Sequence, residues 1–96
     1  MPKVYESVAE IRRRNKDAGQ HWFDPDSVRF FRSRVGRRVY GGKYFISSEQ
    51  FDDSTPRRWT IRVADENGRI HEVGQFQEYD SYRAAERALQ RILRGS

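Results

Sequence analysis

Arg58, Thr60 and Arg62 alternate with Trp59, Ile61 and Val63, so an extended backbone sets the two arginines and the threonine on one face and the apolar residues on the other. Arg69 and His71 follow on the far side of an Asn67-Gly68 turn, and a paired strand would bring them beside the arginines. Tyr44 or Phe45 could share that face. Guanidinium groups interleaved with an aromatic on an open sheet can pair phosphates and stack bases. A second basic pattern lies near the C-terminus, where Arg83, Arg87, Arg91 and Arg94 recur at steps of four, four and three, which a helix gathers into one stripe. Like charges at i,i+4 cost about 0.2–0.5 kcal/mol per pair, so stability does not call for the stripe. Only Glu86 lies within that helix as a nearby acid. The candidate nucleic-acid contacts are therefore Arg58, Thr60, Arg62, Arg69, His71, Arg83, Arg87 and Arg91.

Other chemistry finds less support. His21 and His71 are the only histidines, and neither lies in an expected helix that would bring a carboxylate to ligand spacing, so no metal site is expected. There is no glycine-rich phosphate loop of recognised spacing and no Gly-x-Ser-x-Gly. Asp52 and Asp53 stand on a loop with no histidine or basic residue spaced to form an acid–base pair with them. A non-enzymatic protein with no cofactor is the expectation. The run Arg12-Arg13-Arg14 with Lys16 resembles a nucleic-acid patch, yet Glu10 faces Arg13 and Arg14 and Asp17 returns to Arg13, which is the pattern of a solvated helix surface.

Nineteen basic residues against fourteen acidic ones give a net charge of +5, which favours a polyanionic partner. Sixteen of the nineteen are arginine. That bias suits planar recognition of phosphate and guanine, and a GC-rich coding sequence would equally produce it. Residues 39–56 carry a net −2, whereas 1–38 and 57–96 carry +5 and +2, so the middle loop would face away from a nucleic acid.

Ninety-six residues make one domain with one modest core. Aromatics at 14% supply buried area that a disordered chain lacks. The absence of cysteine excludes disulfides and thiol chemistry. No apolar run has the length of a signal peptide or membrane span, so a soluble, cytoplasmic chain with no membrane partner is expected.

The elements that would position these residues read as follows. Ser7 to Glu10 has the spacing of a capping box opening a first helix over about 7–18, with Gly19 as a left-handed stop. Its apolar stripe is thin: Val4 or Tyr5, then Val8, Ile11 and Ala18. Asp24-Pro25 would open a second helix over about 25–34, anchored by Trp22 and Phe23 and presenting Val28, Phe31 and Val35. Val39 to Tyr44 suggests a hairpin with a Gly41-Gly42 turn, continuing into a strand through Ile46. In that strand Phe45 opposes Tyr44 and Ile46, so either the strand is covered on two sides or an aromatic faces outward. Glu49 to Pro56 reads as a loop. Arg57 to Phe76 is a β-hairpin, with a bulge near Gly74 because Ile70, Val73 and Phe76 break the period of two. Tyr82, Ala85, Leu89 and Ile92 form the stripe of a C-terminal amphipathic helix capped by Asp80 or Ser81. Trp59, Ile61 and Val63 are expected to pack against it. The fold class is α+β: two short N-terminal helices, a three- or four-stranded antiparallel sheet and a C-terminal helix, with a core unit at 37–94.

The order of three strands and a helix, with Trp59-Thr60-Ile61-Arg62, Val73-Gly74-Gln75-Phe76, and Ala84-Ala85 with Ala88, resembles AP2-type DNA-binding domains over residues 43–93. That resemblance implies a sheet whose arginine and tryptophan read the major groove. The same order with a preceding helix also resembles double-stranded RNA-binding domains, although Ser81-Tyr82-Arg83-Ala84-Ala85-Glu86 stands where those carry lysines. In overall character the chain is similar to small phage or plasmid proteins. DNA is the expected partner, and the alternative is a module or inhibitor docking on a host protein through Tyr44 or Phe45 and the arginines. Were the N-terminal helices to cover the outer sheet face, with Asp24 or Asp26 pairing Arg58 and Arg62, the expected contact would shift to the helix stripe and DNA binding would fall below protein docking as the expected function.

Overall fold

The computed structural model describes residues 4–20, 29–30, 32–50 and 52–95. Ser7 accepts a hydrogen bond from the backbone N–H of Glu10 at 3.2 Å and so caps α1, Val8–Asp17. Gly19 takes a φ of +77° just beyond it, and Gly19 and Gln20 donate to the carbonyls of Lys16 and Asn15, which stops the helix as expected. The expected second helix falls mostly on residues outside the described ones, and so do His21, Trp22, Phe23, Asp24 and Asp26. Its far end differs from the expectation: Arg32 has a φ of +48° and Arg34 already belongs to a strand.

Four strands follow, β1 (Arg34–Val35), β2 (Tyr44–Glu49), β3 (Arg58–Ala64) and β4 (Ile70–Val73). They form one antiparallel sheet in the order β1-β2-β3-β4. The Gly41-Gly42 turn returns the chain so that Tyr40 bridges Tyr44. β2 runs to Glu49, not into a loop from Glu49 as the sequence suggested, because Glu49 pairs with Arg58 at the end of the β2–β3 register. α2, Tyr82–Gly95, begins at Ser81, whose hydroxyl accepts from the N–H of Ala84 at 3.1 Å.

The register divides the side chains between two faces. Tyr44, Ile46 and Ser48 lie beside Val63, Ile61 and Trp59, and this side receives α2. Ile46, Ile61, Ala85, Ala88, Leu89 and Tyr40 make its buried core, with Trp59, Val73, Tyr79, Ile92 and Leu93 packed against it. On the opposite side Phe45 and Ala64 meet Tyr5, Val8 and Ile11 of the α1 segment. Phe45 is fully buried. Strand β2 is thus covered on both sides, and Phe45 is not an outward anchor for a protein partner.

α1 is also held by hydrogen bonds to the β3–β4 turn. The Tyr5 hydroxyl donates to the carbonyl of Asp65 at 2.7 Å, and Asn15 Nδ2 donates to that of Gly68 at 2.8 Å. Asp65 and Arg69 close a loop of Glu66, Asn67 and Gly68, in which Gly68 takes the left-handed position at φ +85°. The carboxylate of Asp65 accepts from the N–H groups of Asn67 and Arg69. Burial pushes this carboxyl up, but hydrogen bonds from His71 and the two N–H groups outweigh that and hold it below its ordinary range.

After Val73 the edge of the sheet departs from a single bulge. Gly74 to Glu78 loop out as a turn, and the chain rejoins at Tyr79, which exchanges two backbone hydrogen bonds with Trp59. Phe76 therefore stands on an excursion and not in a strand.

Gly68 is constrained twice, since its φ is left-handed and an added Cβ would lie 2.8 Å from the Arg14 backbone carbonyl. Gly19 shares the left-handed φ but has nothing within 4 Å. Gly19→Ala is expected to cost about 1–2 kcal/mol. Gly68→Ala should cost about 2–5 kcal/mol, because backbone overlap adds to the strain. Urea unfolding compares them, and equal costs would show that α1 does not press on the turn.

Candidate nucleic-acid interface

The two basic patterns have different fates. On the outer side of β3, Arg62 is only 4% exposed and Thr60 is 0% exposed. Arg62 Nη2 meets Glu49 Oε1 at 3.1 Å, its Nε donates to Ser47 Oγ at 3.1 Å, and its Nη1 reaches Glu72 Oε1 at 3.3 Å. Ser47 in turn donates to Glu49 at 2.9 Å, and Thr60 Oγ1 accepts from the N–H of Gln77 at 2.8 Å. Phe76 lies over the guanidinium, its ring centroid 5.4 Å away. The carboxylates are Glu49 and Glu72, from the flanking strands. This is a closed polar network on a sheet face that the alternation alone leaves open.

Arg58 is half-buried and turned along the excursion, donating through Nε to Gln77 O at 2.8 Å and through Nη2 to Glu78 O at 2.9 Å. His71 is on the other face, opposite Val63, with its ring 3.2 Å from Asp65. Arg69 is exposed in the turn. The structure therefore brings Arg58, Thr60 and Arg62 together but separates Arg69 and His71 from them.

The helix stripe is a different environment. Arg83, Arg87, Arg91 and Arg94 are all exposed, on the side of α2 away from Ala85, Ala88 and Leu89. Among the described residues none of the four makes an ion pair. Glu86, the one acid in α2, is engaged elsewhere: the Tyr40 hydroxyl donates to it at 2.6 Å, and Arg38 stands 3.9 Å away. Tyr40 also shares a 2.6 Å hydrogen bond with Tyr82. Burial first, then the bonds to Glu86 and Tyr82, raise the Tyr40 hydroxyl above its ordinary pKa, so it stays a donor.

The chain belongs to DUF7447, a family of unknown function, whose model matches residues 7–90. No curated protein and no solved structure matches it. Within this DUF7447 chain, no group of three or more histidines, aspartates and glutamates could hold a metal among the described residues. Nor is any described helix long and apolar enough to cross a membrane.

Two groups escape a reading of the sequence alone. Glu49 has the parity of Phe45 and Ser47, a signal that extending the alternation of β2 by one step would have caught. Arg57 has the parity of Trp59 and Ile61 and so belongs to the α2 side, where it bonds Ser48 Oγ at 2.8 Å.

The Arg62–Glu49 pair can be weighed by a double-mutant cycle. Arg62→Met or Glu49→Leu alone should each cost about 3–5 kcal/mol, since each strands a buried charge. The double variant should fall short of the sum by at least about 1 kcal/mol. Additive costs in urea unfolding would show that the two groups do not depend on each other.

Proposed function

We propose that the protein binds DNA without catalysing a reaction, and that the arginine stripe of α2 carries the binding. The reading is supported by one observation above all: four exposed arginines repeat along α2 while its single carboxylate is held by Tyr40. Their charge is uncompensated within the helix, an arrangement that works against stability and suits a polyanion. From Arg83 to Arg94 the stripe runs about 16 Å along the axis, and a helix fits the major groove. The sheet behind α2 makes it a rigid support. The AP2 likeness supports the same class of partner but would give the contact to the sheet. With Arg62 and Thr60 buried, the proposal gives it to the helix.

A protein-docking module is the second reading, and closure of the sheet face favours it, with Arg62 buried and Arg58 engaged on the Gln77 and Glu78 carbonyls. Its anchors would be Tyr82, 39% exposed at the head of the stripe, with the same arginines.

Fluorescence anisotropy with a labelled duplex at several salt concentrations separates the two. Affinity should fall steeply with salt, and Arg83→Gln/Arg87→Gln/Arg91→Gln should flatten the slope by about one for each phosphate that the variant no longer neutralises. The triple variant should also melt slightly higher, through relief of repulsion. An unchanged slope would make the stripe ordinary solvated surface, and no duplex binding at low salt would leave protein docking as the reading.

A further inference from the structure

A cleft of about 210 Å³ opens on the α2 side of the sheet, lined by Arg34, Ser48, Arg57, Trp59 and Tyr82 over a floor that includes Ile46. Its residues come together through the register. Arg34 pairs with Ser48 across β1–β2 and Ser48 with Trp59 across β2–β3, while Arg57 precedes β3 with the parity of Trp59. Tyr82 is the first residue of α2. We infer that this cleft is a binding site for a single nucleotide unit bearing a phosphate, with the phosphate between Arg34 and Arg57 and the base against Trp59 and Tyr82.

The charge distribution argues for an anion. Arg57 is half-buried with its Nη1 on Ser48 Oγ, and burial, then repulsion from Arg34, work against its charged form, offset only in part by attraction to Glu49. The opposing carboxylate, Glu49, is bonded to Arg62, and Arg32 is paired with Asp53 at 2.6 Å. Arg34 and Arg57 have no ion pair among the described residues. Two guanidinium groups converging on a partly desolvated cleft raise the energy of the empty protein, and a bound phosphate would relieve it through bidentate, charge-assisted hydrogen bonds. Ser48, 4% exposed, accepts from Arg57 and so keeps its own proton for a further oxygen.

The aromatic pair gives the rest of the chemistry. An inorganic anion needs no aromatic wall, whereas a base gains affinity by stacking on one. A free nucleoside monophosphate and the phosphorylated end of a strand present the same group. The site does not depend on the stripe, because none of its arginines is on α2.

Isothermal titration calorimetry with AMP, adenosine and inorganic phosphate tests the inference on the whole chain. AMP should bind at least tenfold more tightly than adenosine or phosphate. Arg34→Gln, at an exposed position, should weaken AMP about tenfold without changing the melting temperature, and Arg57→Lys should do likewise by losing the fork. Arg83→Gln/Arg87→Gln/Arg91→Gln should leave AMP binding unchanged, so failure of the stripe and failure of the cleft are distinguishable. Comparing 5′-phosphorylated with 5′-hydroxyl oligonucleotides then tells a strand end from a free nucleotide, with a preference for the phosphorylated end assigning the site to strands. No AMP binding at millimolar concentration, adenosine equal to AMP, or full affinity in Arg34→Gln would overturn the assignment.

Discussion

A buried charge pair sets the terms of this structure. Arg62 and Glu49 lie on neighbouring strands, almost wholly out of water, and meet at 3.1 Å. Removing two charges from solvent costs several kcal/mol per ion, and their attraction offsets this only where further hydrogen bonds complete the shell. Ser47, Thr60 and Glu72 supply them. The network also defines register, because a slip of β2 against β3 by one residue would turn Glu49 toward the apolar side and leave Arg62 on a face with Tyr44, Ile46 and Ser48, without its carboxylate. Its contribution is to make one pairing far better than its neighbours.

With that face occupied by polar groups at one end and by Phe45, Ala64 and the α1 segment at the other, the sheet becomes an interior layer. Arg62 ties the strands together from the interior, and Arg58 ties β3 to the excursion from Gly74 to Glu78. Of the candidate contacts, those left exposed are the arginines on the far side of α2 and Arg69 and His71 by the turn, while Arg34 and Arg57 border the cleft beside the sheet. The stripe and the cleft rest on the same support, since α2 packs on Ile46 and Ile61 and the cleft is built by the register of β1 on β2. In the proposed function the contacts fall to side chains that the core positions but does not use.

Much of the architecture is readable from local chemistry. Ser7 with Glu10, Gly19, the Gly41-Gly42 turn, the Asn67-Gly68 signal and the stripe of Ala85, Leu89 and Ile92 each announce an element through a rule that needs no distant partner. The alternation of β3 separates Arg62 from Ile61 correctly, but a period of two says which residues share a face and not whether that face is wet. Arg62 reads as solvent-facing because its carboxylate stands thirteen residues earlier, at a position that reads as loop. The excursion from Gly74 to Glu78 is similarly hidden: the rejoining at Tyr79 is a long-range pairing with Trp59, and Phe76 finds its place only over a guanidinium brought there by the register. Arg57 is legible in parity alone, and the cleft it lines needs Arg34 from a strand too short to announce itself.

The central claim is that Arg62 belongs to the interior and that the stripe on α2 is the surface left to meet a partner. NMR of the arginine Nε–H groups addresses both halves in one sample. The Arg62 Nε–H is expected to exchange slowly with solvent and to keep its shift when duplex DNA is added, while the signals of Arg83, Arg87 and Arg91 move together. An Arg62 signal that exchanges as fast as those of the stripe, or one that moves with DNA while the stripe stays still, would contradict the claim.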